Sequence, residues 1–192
     1  MGLSYQNGAG SGSITYAIGG GPQTTEAASA TTTSYYDDGV LYSVIVQLQF
    51  TDPTQGAAVL MVICNPFTGT GAYSSSTADQ TLTLLVGTAT AGVGNWGNPS
   101  GSSATVSLDV ITYAPSSTEV DWTATLMGSG LVWTGSGSQS NLDLKVLTTT
   151  LTITPGASGD TASPRRWTAA QLAPPIEAIR ERISELKALD QR

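Results

Sequence analysis

Residues 40–50, VLYSVIVQLQF, put Val40, Tyr42, Val44, Val46, Leu48 and Phe50 on one face of an extended chain and Ser43, Gln47 and Gln49, followed by Thr51, on the other. A period of two marks a half-buried strand, and no helical period occurs before residue 164. The body of the chain is therefore restricted to sheet. Upstream, TTTSYY meets this strand through Asp37, Asp38 and Gly39, a hairpin signal, and TDPTQG turns the chain into AAVLMVIC, giving three antiparallel strands. AAVLMVIC is apolar on both faces, which predicts a central strand covered on both sides.

Further strands are predicted in SITYAI, QTLTLLVG, where Leu82, Leu84 and Val86 alternate, ATVSLDVITY, with Val106, Leu108 and Val110, and TEVDWTATLM, with Val120, Trp122, Ala124 and Leu126. GLVWT follows, and then NLDLKVLTTTLTIT, whose apolar positions change phase. Leu142, Leu144 and Val146 are even, whereas Leu147, Leu151 and Ile153 are odd, so a bulge or a change of sheet is expected near Leu147. About eight or nine strands without a fixed repeat predict a two-sheet antiparallel β-sandwich, jelly-roll-like, with an immunoglobulin-like sandwich as the alternative. The expected layout is a Gly/Ser/Thr-rich arm over residues 1–30, the sandwich over 31–154, a linker over 155–164 and a helical docking segment over 165–192.

Charge is divided the same way. The chain has 192 residues and a net charge of −7; residues 1–163 carry ten acids against Lys145 alone, or −9, and the remainder six bases against four acids, or +2. An acidic body repels phosphate backbones and anionic lipid heads, so nucleic acid and membrane surfaces are poor partners. No apolar run reaches the length of a membrane helix, and MGLSYQNGAGSGSITY has neither the basic nor the apolar region of a secretory signal. The single Cys64 closes an apolar run and reads as a buried, inert thiol. Location is left open, with a virion, or the cytoplasm before assembly, as the expectation.

The tail, PRRWTAAQLAPPIEAIRERISELKALDQR, is built differently. Thr168 and Gln171 match a capping box, Pro174 and Pro175 interrupt the first turn, and Pro175 suits the first position of a new helix. In that helix Ile176, Ile179, Ile183 and Leu186 form one apolar stripe. With Ile176 as heptad position a, Arg180, Arg182 and Lys187 occupy e and g, so a parallel homodimer would oppose like charges. Two heptads are also marginal alone. Docking into an acidic groove fits better, with Trp167, Leu172, Ile176, Ile179, Arg180, Ile183, Leu186 and Lys187 as the contact set. The groove belongs to this body, to a neighbouring copy or to another protein.

Chemistry is sparse. With no histidine, Ser-His and Cys-His nucleophiles and His-ligated metals are excluded, and one cysteine excludes thiolate clusters, so neither enzyme activity nor a cofactor is expected. Glu119 and Asp121 share a strand face, a pair that a solvated surface explains without catalysis. Asp37, Asp38 and Asp52 border turns and form a weak Ca²⁺ candidate against the favoured turn-forming role. Trp96, in GVGNWGNPSG, and Tyr35 with Tyr36 are candidate contacts for a glycan or partner, although Trp96 also suits a plug for one end of the body. In architecture and composition the chain resembles small virion proteins of tailed phages, such as head-decoration, fibre or tail-associated components, which join a β-domain to a terminal attachment segment. That resemblance implies a noncatalytic member of a larger assembly. A carbohydrate-binding module and a β-pore-forming toxin are the competing expectations, the latter from the Thr/Ser alternation of TTTLTIT and TLTLLVG.

Overall fold

The computed structural model describes residues 3–68, 73–76, 79–80, 82–98, 106–112 and 120–161. They form eleven strands and, among the described residues, no helix: β1 (Leu3–Ile18), β2 (Thr24–Asp37), β3 (Val40–Asp52), β4 (Gly56–Cys64), β5 (Tyr73–Ser76), β6 (Asp79–Gln80), β7 (Leu82–Thr88), β8 (Gly94–Gly97), β9 (Val106–Thr112), β10 (Val120–Gly135) and β11 (Leu142–Thr161). All pairings are antiparallel, in the order β11-β1-β2-β3-β4-β7-β8-β10-β9-β5-β6, and β10 also pairs with β11. The sheet therefore closes: β11, β1, β2, β3, β4, β7, β8 and β10 form a ring. One edge of β10 lies along β11; its other edge meets β9 over Thr123–Gly128 and β8 over Val132–Gly135.

The described strands bear out the expected all-β antiparallel architecture and do not show the jelly-roll sandwich. The described strands do not divide into two hydrogen-bonded sheets, because β10 and β11 are long enough to change neighbours along their length. Closing the ring pairs the N–H and C=O groups that open edges would leave free. Two segments are reassigned with it. Residues 1–30, expected as an arm, supply β1 and half of β2, with Ile14, Tyr16, Ala28 and Ala30 in the core. The predicted linker belongs to β11 as far as Thr161, which pairs with Leu3. Glycine makes this junction possible: a Cβ on Gly10 or Gly12 would strike the carbonyl oxygen of Thr152 or Thr150.

The interior follows the alternation. Val44, Val46, Leu48 and Phe50 of β3, Leu60 and Val62 of β4, and Leu82, Leu84 and Val86 of β7 meet Leu126, Leu131, Leu144, Val146, Leu151 and Ile153 from the other wall. The phase change in β11 is a bulge at Leu147. Thr15 and Tyr16 are consecutive on β1 but face Thr148 and Val146, and β10 skips the same residue, so Thr149, Leu151 and Ile153 all point inward. A second shift, at Ser129 and Gly130, joins the two predicted strands TEVDWTATLM and GLVWT into β10; Gly130 has φ +63°, and Asp143 Oδ1 accepts hydrogen bonds from Gly130 N and Ser129 Oγ. A third, between Tyr35 and Tyr36, changes the phase of β3 at Tyr42. Leu41 thereby packs on the core and Val40, expected inside, is 69% exposed. The two-residue turn Asp38–Gly39, both with positive φ, forms the predicted β2–β3 hairpin.

Candidate functional site

The sequence candidates are dispersed rather than gathered. Trp96 is part of β8, not of a display loop. Its ring is buried against Trp133, with centroids 4.8 Å apart, and its Nε1 donates to Ser140 O at 2.9 Å. No free face is left for a sugar, and the plugging role fits. Tyr35 and Tyr36 are consecutive on β2 and project to opposite sides of the wall. Tyr35 faces outward opposite Tyr5, and burial, followed by the neighbouring Tyr5, raises its phenol above the usual range. Three strands of the sheet order separate β2 from β8, so these aromatics do not form one platform. The contact set from Trp167 to Lys187 lies outside the described residues.

The weak Ca²⁺ candidate is overturned by distance. Asp37 and Asp38 sit at one end of β3 and Asp52 at the other, so roughly 40 Å of extended strand separates them. Asp52 has a structural task instead. Its Oδ2 accepts a 2.6 Å hydrogen bond from Tyr16 OH, and Oδ1 accepts from Thr54 N, Thr54 Oγ1 and Gln55 N at 2.7–2.8 Å, closing the β3–β4 turn. Burial alone would raise this carboxyl; the hydrogen bonds from Tyr16, Thr54 and Gln55 together outweigh it and hold it below the usual carboxylate range. Tyr16 is pushed above its ordinary phenol range, first by burial and then by the Asp52 carboxylate. Cys64 is fully buried, and burial raises its thiol, which makes it a poor nucleophile.

What stands out is the outside of β4. Its inward residues Leu60, Val62 and Cys64 belong to the core, but its outward residues Val59, Met61 and Ile63 are each only 1% exposed. Ile45 of β3, opposite Ile63, is 8% exposed. These four are absent from the internal cluster, so they constitute a second apolar face on the other side of the same wall. Met61 is flanked by Gln47 on β3 and Leu85 on β7, and Leu85 by Gly97 on β8. A Cβ on Gly97 would lie 2.7 Å from Leu85 Cδ2, so glycine keeps this face flat. Three buried polar atoms rim it: Ser43 Oγ and Asn65 Oδ1 at one end and Asn95 Oδ1 on β8, none with a hydrogen-bond partner among the described residues. Leaving four such side chains in water would forgo on the order of 10 kcal/mol, comparable to the net stability of a whole domain. The face requires a cover.

Sequence reasoning found half of this site. The unbroken run AAVLMVIC announced a strand buried on both sides, but Ile45 is a single apolar residue among Ser43, Gln47 and Gln49, and nothing in its neighbourhood marks it. The rim is assembled from strands distant in sequence. No protein-family model, curated protein or solved structure matches this chain.

Proposed function

We propose that the chain is a noncatalytic structural and interaction protein, a component of a larger assembly of the tailed-phage virion kind, in a decoration, fibre or tail-associated position. Its C-terminal helical docking segment, residues 165–192, attaches it. The observation that supports this reading is the apolar face outside β4, buried on the side of the wall away from the core, which marks this strand for packing against protein on both sides. The filled interior and the structural use of Asp52 support a scaffold role over a chemical one. Deleting residues 164–192 should leave a folded β-body that no longer enters the assembly, read by co-sedimentation with particles; undiminished incorporation would reject the reading.

The carbohydrate-binding alternative rests on the outward pair Tyr5 and Tyr35, and a glycan array with Tyr35→Ala as control tests it. A pore-forming role finds less support. Thr148, Thr150 and Thr152 of β11 and Ser11 and Ser13 of β1 are exposed while the interior is apolar, the reverse of a membrane barrel, whose lipid face is apolar. No helix among the described residues is long and apolar enough to cross a membrane.

A further inference from the structure

We infer that the outward face around Tyr5 and Tyr35 is a seat for one ring of a neutral sugar, with the two phenols as its platform and Asn7 as its hydrogen-bonding residue. The inference rests on the carbohydrate-binding alternative and adds the orienting residue and the charge class of the ligand. Tyr5 on β1 and Tyr35 on β2 are direct register partners, and both are half-buried. Two residues along each strand, on the same face, Asn7 pairs with Thr33, and Thr33 Oγ1 donates to Asn7 Oδ1 at 3.1 Å. That bond orients the exposed amide and leaves its Nδ2 hydrogens for a ligand. Adjacent strands lie about 4.8 Å apart and residues i and i+2 about 7 Å apart, so these four side chains outline roughly the footprint of one pyranose ring.

The sheet presents this patch clear of its other walls. β4 reaches β3 only as far as the pair Cys64 and Val44, and β10 reaches β11 only as far as Val120 and Ile153, so the row of Tyr5 and Tyr35 lies beyond both. On β11 the partner of Tyr5 is Gly159, which has no side chain to lay over the ring. Along the outward sides of β1 from Tyr5 to Ala17 and of β2 from Thr25 to Tyr35, these two residues are the only aromatics. A platform of two rings suits a small ligand, since a protein interface needs a far wider patch. Each ring offers an apolar face to the C–H groups of a sugar, while the phenol hydroxyls and the Asn7 amide meet its hydroxyls. Residues 1–163 carry −9, so a sialylated or sulfated glycan would be repelled and a neutral one would not.

Saturation-transfer difference NMR of the full chain tests this, with methyl β-glucoside, methyl β-galactoside and methyl α-mannoside as neutral probes and glucuronate as the charged one. At least one neutral probe should bind, with its strongest signals on the C–H protons of one ring face, and glucuronate should bind about tenfold more weakly. Tyr5→Ala and Tyr35→Ala should each weaken binding about tenfold or more and Asn7→Ala about fivefold, whereas Tyr35→Phe, which keeps the ring, should stay within about twofold. Urea midpoints verify that each variant is folded, and the exposed Asn7 keeps the test decisive should a tyrosine variant unfold. Silence of all three neutral probes, equal binding of glucuronate, or binding indifferent to Tyr5, Tyr35 or Asn7 would overturn the inference. Glycan-array binding that survives both tyrosine substitutions would keep the carbohydrate reading while rejecting this seat. The incorporation assay decides the assembly role separately.

Discussion

Asp52 and Tyr16 meet 36 positions apart in sequence, and their hydrogen bond is a test of how a polar pair serves an apolar wall. Tyr16→Phe keeps the ring against Phe50, whose centroid lies 4.7 Å away, but removes the donor to Oδ2. A loss of about 1–3 kcal/mol in urea unfolding is expected. The pH dependence has two limbs. Because the folded Asp52 carboxyl is held low, its stabilisation is present above about pH 4 and is lost as pH falls through its depressed folded value. Because Tyr16 is raised, its contribution is complete below about pH 10 and fades above that. Asp52→Asn should flatten the acid limb in a series of urea midpoints against pH, and an unchanged limb would assign it to other carboxyls. Trp96 offers a contrast: Trp96→Ala should cost about 3–5 kcal/mol in thermal or urea unfolding, as expected of a plug rather than a glycan contact.

In the elements, phase carries most of the information. The bulge at Leu147 lets Leu142, Leu144 and Val146 share an interior with Thr149, Leu151 and Ile153. Deleting Leu147 would restore an unbroken alternation with both triplets still on one face, so the variant should keep a cooperative unfolding transition, and deleting Ser138, in the exposed GSGSQS loop, should shift the midpoint little. Alternation made β3, β4, β7 and the β11 irregularity legible from residues alone. It revealed only the SITYAI end of β1, because Gly8, Gly10 and Gly12 leave the rest of that strand without an apolar rhythm, and it missed β8, where four residues are too few for a period. Closure was illegible for a different reason. Periodicity tells that one side of a strand is buried, not which strand pairs beside it, and β1–β11, which closes the ring, joins the first and last described strands. The outer β4 face was half visible because its strand is local and its rim is not. Gly12→Ala tests the junction: its methyl would meet the Thr150 carbonyl, so β1–β11 amides should exchange faster with deuterium than those of β3–β4.

As a whole molecule, the ring makes the first and last described strands neighbours, Leu3 beside Thr161 and Ile18 beside Leu144. Such non-local pairing predicts slow folding, in the range of milliseconds to seconds, read by stopped-flow refolding. The same pairing governs the order in which the chain can mature during its synthesis. Between the last residue of β1 and the first of β11 the ribosome must add residues 19–141. At roughly 5–20 residues per second that takes on the order of 6–25 s, during which one edge of β1 waits without its partner. A waiting edge rich in valine and isoleucine would invite pairing between nascent chains. LSYQNGAGSGSITYAI holds glycine and serine over much of that edge, so the poverty of apolar residues that disguised β1 as an arm also keeps it from sticking to other chains until its partner is made.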